Sequence, residues 1–237
     1  MVGVVFRETL RRGWRGMLGW GIGFALIALV QAAVLADVDA LKQFAELVAS
    51  MPPFIMQMLG TSDAAFLGTP EGYLAGRFFN VAVVFFAIYG VSAGLNVTAV
   101  EEDRGIMDSQ LSTPLARWQL ILGKMLAYAL MLLGIVLITF AGVAIGLLLT
   151  PVAAEFDFGR LFEVTMGLYM PGLVVMAFTA MVAGLVSSRT TVSAVAYAFV
   201  IVSYFINFIG GSASESIAAV IGGVSFFNYY NAGDIMK

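Results

Sequence analysis

The sequence predicts an all-α polytopic membrane protein, a single transmembrane domain over residues 1–237. Three observations predict it. Hydrophobic residues make up 61% of the chain and charged residues 11%, and the mean hydropathy is +0.96, a balance outside the soluble range. Five charge-free windows, 17–36, 78–100, 125–149, 164–186 and 191–209, are long enough to cross a hydrocarbon core, which takes about 20 apolar residues. Basic residues, finally, are divided unevenly between the two sides of these windows.

The elements follow in order. Over residues 1–16, Phe6, Leu10 and Trp14 recur at i, i+4 and i+8, with Arg7, Arg11, Arg12 and Arg15 on the flank and back. This pattern predicts an amphipathic helix in the membrane interface, although a basic flank would also serve simply to orient the first span. The window at 17–36 is span-length and no small-residue cleavage site with a polar mature start follows it. It is therefore expected to stay in the protein rather than act as a cleaved signal peptide. Beyond it, Leu41, Phe44, Ala45 and Val48, and after Pro52-Pro53 also Phe54, Ile55, Met58 and Leu59, predict two short external amphipathic helices hinged at the prolines. Such a unit could cap the structure or act as a substrate lid. Residues 60–76, rich in Gly, Ser and Thr with Pro70, read as loop. Residues 101–124 form a polar connection, Pro171 predicts a kink in the fourth span, and 210–237 is too short and broken to cross. That tail is expected outside the bilayer or as a re-entrant hairpin, which requires its backbone to be buried in protein.

Counting Lys and Arg sets the expected orientation. Arg7, Arg11, Arg12, Arg15, Arg104, Arg117, Lys124 and Arg189 fall on one side, against Lys42, Arg77, Arg160 and Lys237 on the other. The positive-inside rule then places the N-terminus and the 101–124 segment in the cytoplasm, and 37–77, 150–163 and the tail outside. A net charge of −3 gives no basic surface for nucleic acid.

Absences exclude several chemistries. With no Cys and no His, disulfides, thiol chemistry, His-based metal sites and Ser-His-Asp triads are ruled out. The Glu101-Glu102 pair has no His to complete a membrane protease site. No catalytic or metal-ligating residue is assigned. No ionisable group lies within a window, which argues against a proton relay, and no GxxxxGK[ST] phosphate loop is present. Polar side chains do occur in the windows: Tyr89, Ser92 and Asn96 at i, i+3 and i+7 on one face of the second span, and Asn207 near the outer end of the fifth. They could line a pathway or stitch helices together. Gly19 and Gly23, Gly90 and Gly94, and Gly142 and Gly146 each have the GxxxG spacing of close helix packing.

The segment from Glu101 to Lys124 holds an acidic cluster (Glu101, Glu102, Asp103), then Arg104-Gly105, a short run through Asp108, Leu111 and Ser112 to Pro114, then Arg117 and Gly123-Lys124 at the next span. This ordered pattern resembles the coupling segment of type-2 ABC transporter permeases. The likeness extends over the elbow helix, the five spans and the tail. The resemblance implies that Glu101, Glu102, Asp103, Arg104, Gly105, Asp108, Leu111, Pro114, Arg117 and Lys124 form a cytoplasmic coupling helix that docks on an ATP-binding subunit. It further implies two such subunits, holding ATP and Mg that this chain does not bind itself. A second permease copy in a homodimer would complete a translocation path along the interface, in a multi-pass protein of the cell membrane. The family has six spans, so a sixth is expected beyond the tail and is absent from this sequence. Uncharged spans favour a lipophilic or amphiphilic cargo such as a drug, antibiotic or lipid. The alternative is a non-transporting membrane subunit of a resistance, immunity or mechanotransmission complex, and a continuous cavity between two copies would distinguish the readings.

Overall fold

The computed structural model describes residues 2–36, 68–100, 116–154, 156–186, 188–212 and 225–237, together with positions 43, 46, 47, 50, 66 and 223. Regular structure among the described residues is helical throughout. In chain order these are α1 (Val2–Ala33), α2 (Pro70–Leu74), a π-helical turn (Ala75–Phe79), α3 (Asn80–Leu95), α4 (Arg117–Leu148), α5 (Phe158–Gly167), α6 (Tyr169–Leu185), α7 (Arg189–Ser212) and α8 (Ala232–Met236). Five stretches are long and apolar enough to cross a membrane: Val2–Ala36, Pro70–Leu95, Arg117–Leu148, Phe158–Leu185 and Arg189–Phe208. The expected external helices over 41–59 fall, apart from isolated positions, outside the described residues.

The helices begin earlier than the apolar windows, because hydropathy marks the hydrocarbon crossing whereas capping marks the helix start. The second span begins at Pro70, so 70–76 is helix and not the expected loop. Thr69 is its N-cap, with the hydroxyl accepting the Gly72 amide at 3.1 Å, and Pro70 stands at the first helical position where no donor is needed. Asp157 likewise caps α5 through the amides of Gly159 and Arg160. The fourth span breaks at Leu168. Pro171 explains the position: it has no amide to offer the Gly167 carbonyl, and its ring crowds that carbonyl.

Residues 2–33 form one unbroken helix of 32 residues, about 48 Å at 1.5 Å per residue, so the expected elbow and the first span are a single rod. Its N-terminal half packs on α4 one step around from the Phe6–Leu10–Trp14 face: a Cβ on Gly123 would lie 3.0 Å from the Val5 Cβ and from the Val2 carbonyl, and a Cβ on Gly13 would meet Met131. Arg11 and Arg12 both bond Glu8, at 3.0 and 2.7 Å.

Glycine contacts fix the helix directions. Going along α1, Val2 and Val5 meet Gly123, Met17 meets Gly134, Ala25 meets Gly142, and Leu29 and Ala32 meet Gly146. Both chains advance together, so α1 and α4 are parallel. The same holds for α3 and α6, where Gly90 meets Gly172 and Gly94 meets Met176 and Thr179. Two of the three GxxxG spacings therefore do bring backbones together, as the absence of side chains allows. Gly19 and Gly23 do not: among the described residues nothing lies within 4 Å of where their Cβ atoms would be.

Parallel pairing puts the start of α1, the end of α3 and the start of α4 at one end of the molecule, called here the N-terminal end. The tail packs toward the other. Ser225 Oγ donates to the Ser203 carbonyl at 2.7 Å, and Phe226 stacks on Phe199, which stacks on Phe178. From there the chain climbs back past Gly167, covered by the Tyr230 ring, to α8, where Arg160 Nη1 donates to the Met236 carbonyl at 3.5 Å. Phe226, Phe227, Tyr230 and Met236 are buried by this route.

Candidate functional site

The N-terminal end carries the base of the 101–116 connection. Glu101, Glu102, Asp103, Arg104, Gly105, Asp108, Leu111 and Pro114 lie outside the described residues. The two ends of the connection are described. On one side α3 stops at Leu95, the Asn96 amide bonds the carbonyls of Ser92 and Ala93, and Asn96 Nδ2 donates to the Ser92 carbonyl at 2.8 Å. Four carbonyls of a closing helical turn lack intrahelical partners, and here a side chain of the same turn takes one of them. Val97, Thr98 and Ala99 continue as buried chain, and the Thr98 hydroxyl, 3% exposed, has no hydrogen-bond partner among the described residues.

On the other side Arg117 opens α4 and is exposed, with the Gln119 side chain accepting the Ala116 amide at 3.4 Å. Two turns on, Lys124 points inward. It is only 5% exposed, and its Nζ donates to the Val97 carbonyl at 3.1 Å. A hydrogen bond from a charged group is worth on the order of 1.5–3 kcal/mol, and a cation beside a helix C-terminus is further favoured by the helix dipole. Gly123, the preceding residue, packs against the first turn of α1. One dipeptide thus receives α1 on one face and holds the end of α3 on the other. Among the expected docking residues, Arg117 is on the surface of this end, whereas Lys124 is inside it.

The expected pathway residues do not share one environment. Tyr89 is 7% exposed, its ring edge-on to Trp20 of α1 at 5.8 Å. Ser92 is exposed, and Asn96 and Asn207 are half-buried. At 3.6 residues per turn the positions i, i+3 and i+7 lie within an arc of about 60°, and its Tyr89 edge meets α1 whereas Ser92, at the other edge, is exposed.

A groove of about 650 Å³ runs along α1 where it meets the π-helical turn and α3. Its floor on α1 is Gly16, Gly19 and Gly23. Trp20, Phe24, Ile27, Phe78, Val81 and Phe85 form its apolar walls, with Gln31 and Arg77 at the end away from Lys124. The volume lies within the roughly 300–1,000 Å³ typical of small-molecule sites. Tyr73 fixes the polar end by donating its hydroxyl to Gln31 at 3.2 Å. Arg77 sits on the π-helical turn, a local widening of the helix often found at functional positions. The signal for this groove was in the sequence as the Gly19 and Gly23 pair, which suggested helix packing; small residues say that something can approach closely, not what does.

A protein-family model described as ABC-2 family transporter protein matches residues 4–230, from the first turn of α1 to Tyr230 in the tail. No curated protein and no solved structure matches the chain.

Proposed function

The chain belongs to the ABC-2 transporter family as a transmembrane permease, and from that premise we propose that it is one half of an ATP-driven exporter. In this reading a second copy completes the complex, and two cytoplasmic ATP-binding subunits, carrying ATP and Mg, dock on the 101–117 segment. The N-terminal end then faces the cytoplasm, as the basic asymmetry favours. The observation that carries the reading is the convergence of α1, α3 and α4 at the base of that segment, around Gly123 and Lys124. A load on the segment has three helices to act on.

The absence of a phosphate loop from the sequence supports hydrolysis in a separate polypeptide. Cargo of lipophilic or amphiphilic character is supported by the uncharged spans and by a groove that is apolar along its length and polar at one end. The test is co-purification. Replacing Glu101, Glu102 and Asp103 together by Lys is expected to abolish recovery of the ATP-binding subunit while membrane insertion is unchanged. Recovery undiminished at moderate salt overturns the docking role.

A further inference from the structure

We propose that Lys124 is not a contact for the ATP-binding subunit but an internal strut that fixes the end of α3 to the start of α4. It would thereby make the two helices respond together to a push on the segment between them. The inference rests on the exporter reading for what does the pushing, but the strut itself rests on geometry. Lys124 is buried and its Nζ meets a backbone carbonyl, Val97, that lies beyond the last residue of α3. A side chain that reached the cytosol to meet a partner would instead be exposed, as Arg117 is.

Position also matters. The segment leaves α3 after Val97–Ala99 and enters α4 at Arg117, so its two ends belong to different helices. Without a tie, displacement of the segment could be absorbed by unwinding the turn at 96–98 or by splaying α4 away. An ammonium bonded to Val97 opposes both motions, because either one breaks a charge-assisted hydrogen bond in a buried place. Gly123 keeps α1 against the same turn of α4, where a Cβ would press on Val5 and the Val2 carbonyl. The strut is thus backed by a third helix. Lys124 is a positioning residue: it touches neither substrate nor nucleotide.

The experiment compares the parent complex with Lys124→Met and Lys124→Arg, using single or paired cysteines in a chain that has no native Cys. Spin labels at Ser92 and Leu126, both exposed, report the spacing of α3 and α4. Lys124→Met is expected to broaden that distance distribution by about 1–2 Å, the scale of helix shifts at an interface, and Lys124→Arg to restore it. In the complex, trapping ATP with vanadate is expected to alter maleimide reactivity at a Ser92→Cys site. Lys124→Met should reduce that response at least about fivefold, the lower bound of a measurable coupling, while partner binding and basal ATP turnover persist. A distribution as narrow as the parent's overturns the strut. A broadened distribution with an undiminished vanadate response overturns the coupling role, and loss of the ATP-binding subunit on Lys124→Met with a narrow distribution shows direct contact instead. If the parent itself fails to bind that subunit, the exporter reading fails and the label spacing in the free permease still decides the strut. Should Lys124→Met not accumulate, Lys124→Gln takes its place, and a narrow distribution there overturns the strut equally.

Discussion

Substituting Gly94 by Ala should weaken the fold, and the same change at Gly19 should not. A Cβ on Gly94 would lie 2.5 Å from the Thr179 Cβ and 2.7 Å from the Met176 carbonyl oxygen. Carbon atoms prefer about 3.5–4.0 Å, so α3 and α6 must separate by roughly 1.0–1.5 Å, and a gap of about 1 Å already forfeits up to half of each dispersion contact along the seam. Because one obstacle is backbone, rotating a side chain does not relieve it, and the cost falls within the roughly 1–3 kcal/mol of overpacked cores. At Gly19 the Cβ meets nothing within 4 Å, leaving only the helix preference for Ala over Gly, about 1 kcal/mol in the stabilising direction. The helix preference acts equally at Gly94 and cancels, so the two variants should differ by the overpacking cost, about 2 kcal/mol within a range of roughly 1–3, or roughly thirtyfold in the folded to unfolded ratio. Reversible unfolding by SDS in mixed micelles, followed by circular dichroism, measures the difference. Equal midpoints for Gly94→Ala and Gly19→Ala would refute the inference that α3 and α6 meet backbone to backbone.

Two further outcomes follow from exposure and topology. In the isolated permease a Ser92→Cys thiol should react with a membrane-permeant maleimide much faster than a Tyr89→Cys thiol, since Ser92 is exposed whereas Tyr89 is buried beside Trp20; similar rates would show that α1 does not cover Tyr89. With the cytoplasmic N-terminus proposed above, an impermeant thiol reagent applied to intact cells should label Ser62→Cys and spare Ser109→Cys, and the opposite pattern would reverse the orientation.

How much of this was legible in the sequence depends on whether the signal was local. Charge-free runs of span length announce helices without reference to neighbours, so all five spans were readable, while their starts were not taken from hydropathy because Thr69-Pro70 and Asp157 act through capping. Those caps were also in the sequence and went unread. Pro171 was legible because its effect is confined to its own turn. The continuity of α1 was obscured by the change from a basic half to an apolar half, a change in surroundings that leaves the backbone unaltered. Partner-dependent facts were not readable at all. Gly19 and Gly90 sit in the same spacing, yet one faces open space and the other the Gly172 carbonyl. Lys124 looks from the sequence like any basic residue at the head of a span, and only the placement of Val97 turns it inward.

The packing sets four of the five spans into two parallel pairs, with α7 against α3 and α6, and the division bears on how a force at the N-terminal end would spread. Among the described residues α1 with α4, and α3 with α6, form the most extensive interfaces, and within each pair glycines bring backbone against backbone. Such interfaces leave little freedom to slide, since the first displacement produces overlap. Between the pairs the contacts pass through side chains: Trp20 on Tyr89 at 5.8 Å, Phe24 on Phe86 at 5.0 Å, and Leu132 against Gly172. Side chains can change rotamer, so small shear motions of packed helices are more readily taken up here than within a pair. The 101–116 connection leaves one pair at α3 and enters the other at α4, and so spans the seam; Lys124 closes the same seam from inside. At the seam's outer surface lies the groove, with α1 of one pair forming its floor and Phe78, Val81 and Phe85 of the other its wall. With α3 tied to α4 at Lys124, the pairs can part only by pivoting about that end, and such a pivot would change the width of the groove, which gives the proposed exporter a mechanical route from the proposed docking segment to an amphiphile-sized space without disturbing either glycine-packed pair.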